Sequence, residues 1–182
     1  MSPRPAAFLD RDGAIIEDTG FVQDAELVRL IPTAAEAIRH LNRAGWAVVV
    51  VTNQSGIARG LLTEEDYRAV ARRTEELLAA AGARIDATYM CPHWPPVSGA
   101  CDCRKPGLQH FRTAIDALDL DPTRSLFVGD KLSDIEPARL LGGRGVLVLT
   151  GEGQKWAGDA VQRGYAVAGN LLEAVTTSMI DN

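Results

Sequence analysis

Trp46-Ala47-Val48-Val49-Val50-Val51 is the stretch that decides the fold. Its four consecutive valines make both faces of a strand apolar, so the strand must be buried on both sides. Parallel sheets covered by helices on each face bury strands in this way. Working outward, similar short runs recur at Ala6–Leu9, Ile85–Met90, Leu126–Val128, Val146–Leu149 and Tyr165–Ala168. Amphipathic stretches alternate with them. One runs from Thr33 to Ala44, with Ile38 and Leu41 on its apolar side and Gly45 placed to end it. Another opens on Thr63-Glu64-Glu65-Asp66, where a hydroxyl can cap the helix and the acids suit its positive end, and Gly82 closes it. Further helices are predicted near Gln109–Leu118, Asp134–Leu141, Trp156–Gln162 and Leu171–Ser178.

No repeat, low-complexity tract or linker interrupts this alternation. The expectation is one α/β domain over residues 1–182, doubly wound and Rossmann-like, with a mostly parallel sheet and no large cap domain. A chain of 182 residues suffices for one such domain and is short for two. A hydrophobic content of 46% excludes general disorder. No apolar run approaches the ~20 residues that cross a bilayer. The N-terminus lacks the basic and apolar regions of a signal peptide, so a cytoplasmic monomer is expected. The net charge of −5 arises from 19 basic and 24 acidic side chains, which are interspersed. No basic face for nucleic acid or for an anionic membrane is expected. A local cluster of cations can still hold a phosphorylated metabolite.

In doubly wound sheets, ligands bind beyond the carboxyl ends of the strands. Four segments deliver polar residues to that rim. Phe8-Leu9-Asp10-Arg11-Asp12-Gly13 brings two acids off a buried strand into a glycine turn. An ionised carboxylate at Asp10 can attack phosphorus, and Asp12 can protonate the leaving oxygen and later activate water. Thr52-Asn53-Gln54-Ser55-Gly56 offers a hydroxyl and amide donors to phosphoryl oxygens. Arg104-Lys105-Pro106 offers a point charge and a forked cation. Gly129-Asp130-Lys131-Leu132-Ser133-Asp134 offers two acids; Asp130 with Asp10 would supply hard oxygen ligands for Mg²⁺. Asp134 would orient this arrangement or bind the metal itself. Each segment alone has an ordinary reading as a turn, a loop, a surface basic pair or a helix start. Their convergence argues for a site.

The order of these segments resembles the haloacid dehalogenase superfamily of phosphatases. That resemblance implies a nucleophile at Asp10, a general acid/base at Asp12, and Thr52 and Lys105 on the phosphoryl group. It also implies Mg²⁺ on Asp10, Asp130 and the backbone carbonyl of Asp12.

Cys91-Pro92-His93 and Cys101-Asp102-Cys103 form a second cluster. An odd set of cysteines without a secretion signal points to metal rather than disulfides. Three thiols and one imidazole fit a closed tetrahedral zinc site of the structural kind, although the spacing is not the common one. Free cysteines beside a surface histidine are the competing reading. Zinc would pin the 91–105 loop, which otherwise lacks regular structure, and so fix Lys105. His40 and His110 lie in helical patterns and read as surface residues.

The wording of the motifs, including Ile57-Ala58-Arg59-Gly60 after Gly56, resembles one subfamily of small-metabolite phosphatases. It holds the heptose 1,7-bisphosphate 7-phosphatases and the histidinol-phosphatases. The resemblance implies substrate contacts at Asp18, Thr19, Gly20, Phe21, Asn53, Gln54, Ser55, Arg104 and Lys131. Two cations in the cleft suit a sugar bisphosphate better than a monoester carrying an amine. Two departures stand out: Pro106 is followed directly by Gly107-Leu108, a turn two residues short, and Ala14 replaces a β-branched residue. A non-catalytic, zinc-stabilised binding module and a phosphotransferase are the alternatives. The second usually needs a cap to exclude water. No site is expected from Gly151 onward.

Overall fold

The computed structural model describes residues 2–180; Met1, Asp181 and Asn182 of the expected domain lie outside them. Six strands form one sheet in the order β3-β2-β1-β4-β5-β6. They are β1 (Ala6–Leu9), β2 (Ala47–Asn53), β3 (Ala87–Cys91), β4 (Leu126–Gly129), β5 (Arg144–Val148) and β6 (Ala166–Ala168). Every pairing is parallel, as the valine run requires. The helices are α1 (Ala34–Arg43), α2 (Glu64–Ala80), α3 (Pro95–Ser98), α4 (Gln109–Leu118), α5 (Leu132–Leu141), α6 (Gly153–Gln162) and α7 (Leu171–Ile180). None is long and apolar enough to cross a membrane among the described residues.

The valines of β2 alternate between two cores, because successive strand side chains point to opposite faces. Val48 and Val50 join Leu9, Ile38, Leu41 and Val175 on one side. Val49 and Val51 join Phe8, Phe111 and Phe127 on the other. There the Phe8 ring stacks on Phe127 at 4.7 Å and meets Phe111 edge-on at 5.4 Å. Burial of this kind stabilises by about 1.5–3 kcal/mol per large side chain.

The sheet order reverses direction at β1, flanked by β2 and β4. A crevice opens at such a switch point, beyond the strand ends. Asp10 lies there, its amide donating to Val128 O at 2.9 Å and so prolonging the β1–β4 ladder by one bond.

Several boundaries differ from expectation. β2 runs on through Thr52 and Asn53, so both are strand residues, while β3 begins at Ala87 rather than Ile85. α5 starts two residues before Asp134, whose carboxylate accepts the Lys131 N–H at 2.9 Å. α6 begins at Gly153 rather than Trp156. The 91–105 loop is not wholly irregular: Pro95 and Pro96 start the single turn α3, proline being suited to a first helical turn. The Thr63 cap holds as read: its hydroxyl accepts the Asp66 N–H at 3.1 Å and the Asp66 carboxylate accepts the Thr63 N–H at 2.7 Å.

Candidate active site

The crevice has a volume of about 470 Å³. Its floor is built around one ammonium group. Lys105 Nζ lies 2.8 Å from Asp10 Oδ1 and 2.8 Å from Asp134 Oδ1, and donates to Val51 O at 2.6 Å. Lys105 is only 4% exposed, a degree of burial that a lysine tolerates only when paired. Burial alone would depress its pKa, but Asp10 and Asp134 outweigh that and hold it above the usual lysine range. Asn53 fixes the lysine from the end of β2: its side chain accepts the Lys105 N–H at 3.0 Å and donates to the Lys105 carbonyl at 3.2 Å.

Asp10, Asp130 and Asp134 each bring a carboxylate oxygen within 4.8 Å of the others. Crowding of this kind has a consequence for titration. Burial, then the neighbouring Asp10 charge, pushes Asp130 up to about 7. Burial pushes Asp134 up to about 6 against the pull of Lys105. Asp130 is fully buried; its Oδ2 accepts the Glu152 N–H at 2.8 Å. Its Oδ1 has no hydrogen-bond partner among the described residues, and Lys131 Nζ stands 3.7 Å away. Gly13, at φ +88°, packs so closely that a Cβ there would collide with the Asp130 carboxyl.

Asp12 is gripped from two sides. Arg11, 3% exposed, donates to both of its carboxylate oxygens at 3.0 Å. The Arg11 guanidinium lies 5.3 Å from the centre of the Tyr67 ring. Gln54 Nε2 donates to Asp12 Oδ2 at 2.6 Å and to Thr52 Oγ1 at 2.8 Å. Burial raises the Asp12 pKa, and Arg11 opposes it.

Of the residues singled out from sequence, Asp10, Asp12, Asp18, Gly20, Phe21, Asn53, Gln54, Ser55, Arg104, Lys105, Lys131 and Asp134 line the crevice. Thr52 and Asp130 sit just beneath it, buried. Thr19 is exposed and outside the lining. Lys131 Nζ lies 3.8 Å from Asp18 and 3.9 Å from Glu152.

Two expectations need correction. The stretch from Gly151 onward does contribute, since Glu152 lines the crevice and its amide holds Asp130. The rule that ligands meet strand ends already covered it, because Glu152 follows β5. His110 is half-buried rather than an ordinary surface residue: its Nε2 is buried and its ring lies 5.8 Å from that of Tyr89. Burial lowers its pKa. Arg11 and Ser133 were also not singled out for the site; a charged residue between two acids was the available signal for the first.

Beside the crevice, Cys91, His93, Cys101 and Cys103 converge, with one ligand atom from each within 4.8 Å of the others. The sulfur separations are 3.8 Å (Cys91–Cys101), 3.5 Å (Cys101–Cys103) and 3.1 Å (Cys91–Cys103). His93 Nδ1 stands 3.2 Å from Cys103 Sγ and 3.6 Å from Cys91 Sγ. All three cysteines are free. Burial and neighbouring thiols push Cys103 up to about 12. These four side chains could hold one metal ion.

Comparison with known proteins agrees with this geometry. Residues 102–174 match the family described as HAD-hydrolase-like. The D-glycero-D-manno-heptose-1,7-bisphosphate 7-phosphatase of Thermosynechococcus vestitus is 43% identical, over 84% of this chain and 83% of that protein. The D-glycero-beta-D-manno-heptose-1,7-bisphosphate 7-phosphatase of Escherichia coli O6:H1 is 43% identical, over 81% of each. Among solved structures, the D,D-heptose 1,7-bisphosphate phosphatase of B. bronchiseptica, crystallised with magnesium and phosphate, superposes with a TM-score of 0.88 at 33% identity. That alignment covers 98% of this chain and 99% of that one. The shared motifs, the sheet order and these alignments together make the chain a member of the haloacid dehalogenase-like hydrolases, in the family of the heptose 1,7-bisphosphate 7-phosphatases.

Proposed function

We propose that this chain is a magnesium-dependent phosphatase that removes the 7-phosphate of D-glycero-D-manno-heptose 1,7-bisphosphate through a phospho-aspartate at Asp10. The observation that carries the reading is the pairing of Asp10 with Lys105 at 2.8 Å, beside an Asp12 held by Arg11 and Gln54. One domain over residues 1–182, including the 91–105 loop, carries the activity.

Asp10 attacks phosphorus, and the bond from phosphorus to the C7 oxygen breaks. Asp12 gives that oxygen its proton; a raised pKa suits the donor, and Arg11 stabilises the carboxylate left behind. Water then attacks phosphorus, giving its proton to Asp12, and the bond from phosphorus to the Asp10 oxygen breaks, which frees inorganic phosphate and restores the Asp10 carboxylate. Lys105 holds the negative charge that gathers on the phosphoryl oxygens, with the Thr52 hydroxyl beside it. Arg104 and Lys131, both lining the crevice, suit the second phosphate. Asp18, Gly20 and Phe21, with Asn53, Gln54 and Ser55, line the crevice and contact the sugar, while Thr19, predicted beside them, stands outside it.

Asp10, Asp130 and the Asp12 carbonyl would hold Mg²⁺, with Asp134 behind them. An Asp130 Oδ1 that accepts no hydrogen bond and an all-oxygen donor set fit a hard cation. Magnesium supplies charge neutralisation that lets an anionic nucleophile meet an anionic phosphate. Without it the folded protein holds Asp130 and Asp134 above the ordinary carboxylate value of 3.8. The native state therefore binds more protons than the unfolded chain between about pH 4 and pH 7. In EDTA, the melting temperature is expected to fall as pH rises through that window. Added Mg²⁺ should raise it more at pH 8 than at pH 5. A flat EDTA profile would count against the carboxylate cluster as the cation site.

Zinc is the ion proposed for the cysteine–histidine cluster. Four N/S donors with sulfurs 3.1–3.8 Å apart suit it, a tetrahedral site with bonds of about 2.3 Å spacing its sulfurs by roughly 3.8 Å. All four places are filled by protein, so its role is structural. The purified protein is expected to contain one zinc per chain. Removing it with a strong chelator should expose the three thiols to a thiol reagent and lower the melting temperature.

The substrate is tested by phosphate release with Mg²⁺, comparing heptose 1,7-bisphosphate with histidinol phosphate. Preference for the bisphosphate supports the reading. Preference for histidinol phosphate keeps the mechanism and overturns the substrate.

A further inference from the structure

Three loops border the crevice: residues 18–23, residues 54–62 and the cysteine loop 91–105. Backbone bonds tie the second to the third, from Gln54 N to Cys91 O at 2.7 Å and from Ala58 N to Pro92 O at 3.2 Å. Across them runs a continuous stack of alternating rings and guanidinium groups. Arg59 Cζ lies 5.1 Å from the centre of the Phe21 ring and 5.2 Å from that of Trp94. Arg104 Cζ lies 5.5 Å from the same Trp94 ring, and its Nη1 donates to His93 O at 3.3 Å. At the other end Phe21 is seated on bare backbone. A Cβ on Gly56 would come within 2.5 Å of Phe21 Cδ1. The four side chains therefore form a ladder, Phe21–Arg59–Trp94–Arg104, with one rung from each of the first two loops and two from the cysteine loop.

We propose that Arg59 and Trp94 are positioning residues that set specificity: their stack locks the 18–21 loop and Arg104 into one outer wall of the crevice. The proposal rests on the reading of Phe21 and Arg104 as substrate contacts. Its physical basis is that a guanidinium between two ring faces is attracted to both and loses freedom of rotation. Arg59 is exposed and neither lines the crevice nor pairs with an acid at its floor, so its reach to the substrate runs through its neighbours. In a fold without a large cap, this ladder joins three loops, tied elsewhere by the Gln54–Cys91, Ala58–Pro92 and Gln23–Leu61 bonds, into a wall. Because Trp94 follows His93 directly, the metal cluster anchors one end. The wall then holds Arg104 at a fixed distance from Lys105, which is what discrimination between one phosphate and two requires.

The test uses the zinc-loaded full chain and the variants Arg59→Met, Trp94→Ala, Trp94→Phe and the Arg59→Met/Trp94→Ala double variant, each checked for zinc content. Two readouts are needed. First, hydrogen exchange at residues 18–21 should rise several-fold in Trp94→Ala, because the Trp94 ring meets the Arg59 guanidinium that stacks on Phe21. It should stay near wild type in Trp94→Phe, which keeps a ring. Second, KM for heptose 1,7-bisphosphate should rise about tenfold in Arg59→Met with kcat changed less than twofold. The double variant should be worse than either single by less than the product of their effects, because both singles break the same Arg59–Trp94 contact. Unchanged exchange at residues 18–21 in Trp94→Ala, or effects that multiply fully, would overturn the ladder. The exchange arm needs no substrate. It decides the ladder even where heptose bisphosphate fails as a substrate, a failure that would overturn the functional reading instead.

Discussion

Replacing Asp10 by asparagine is expected to lower phosphate release at least about a thousandfold, with little change in substrate affinity. The amide keeps the shape of the carboxyl but offers no anionic oxygen to phosphorus. The same substitution carries a second, independent signature. Asp10 contributes to the raised pKa of both Asp130 and Asp134 and to that of Lys105. Removing its charge lets the two remaining acids ionise at lower pH. In EDTA, the loss of stability between about pH 4 and pH 7 should therefore shrink in the variant. Thermal melts at three pH values separate this from a general loss of fold, which would depress the whole profile.

Lys105→Met should produce the largest loss of stability of any single change at the site. Nζ is shared by Asp10 and Asp134 at 2.8 Å each. Methionine fills most of the volume but leaves two buried carboxylates facing each other without a cation. Breaking a buried pair in this way costs about 3–5 kcal/mol. For a chain of this size that corresponds to a fall of roughly 6–20 °C in melting temperature. Part of the loss should return at acid pH, where Asp134 takes up a proton and no longer needs the partner. Turnover should fall at least about a hundredfold, because the phosphoryl charge is then unbalanced. A variant as stable as wild type at pH 8 would show that Lys105 is not buried against these acids.

Much of this architecture was legible in the residues. Val48 to Val51 required a strand covered on both faces, and the two cores divide those four side chains alternately. Thr63 marked a helix start because its hydroxyl and the Asp66 carboxylate can satisfy each other's amides. Asp10, Thr52, Asn53 and Asp130 were visible because polar residues ending apolar strands have one place to go, the rim. The misses have physical reasons too. Glu152 holds Asp130 through its backbone N–H, a group every residue but proline possesses, so its side chain carries no signal. The start of α6 at Gly153 was hidden because Gly151-Glu152-Gly153 reads as a turn, and tertiary packing overrode propensity. Pro95-Pro96 suggested an irregular loop, although proline is at home in a first helical turn. His110 shares its helix with Phe111 and Ala114, and what half-buries it is a tertiary contact, its ring meeting Tyr89 of the neighbouring β3 strand. Arg11 was passed over because its partner is the next residue, and sequence spacing alone does not say which neighbours face one another.

The most direct test of the central claim is to trap the phosphoryl group on Asp10. Asp12→Asn can neither protonate a leaving alkoxide nor activate water, so an aryl phosphate, whose phenolate leaves without a proton, is used to keep formation of the aspartyl phosphate faster than its breakdown. Rapid acid quenching of this variant with p-nitrophenyl phosphate and Mg²⁺, followed by peptide mass spectrometry, reads the outcome. The account predicts a phosphoryl adduct on the peptide containing Asp10, absent from the Asp10→Asn/Asp12→Asn double variant. Turnover of the ester with no adduct, or an adduct on any other residue, would contradict it.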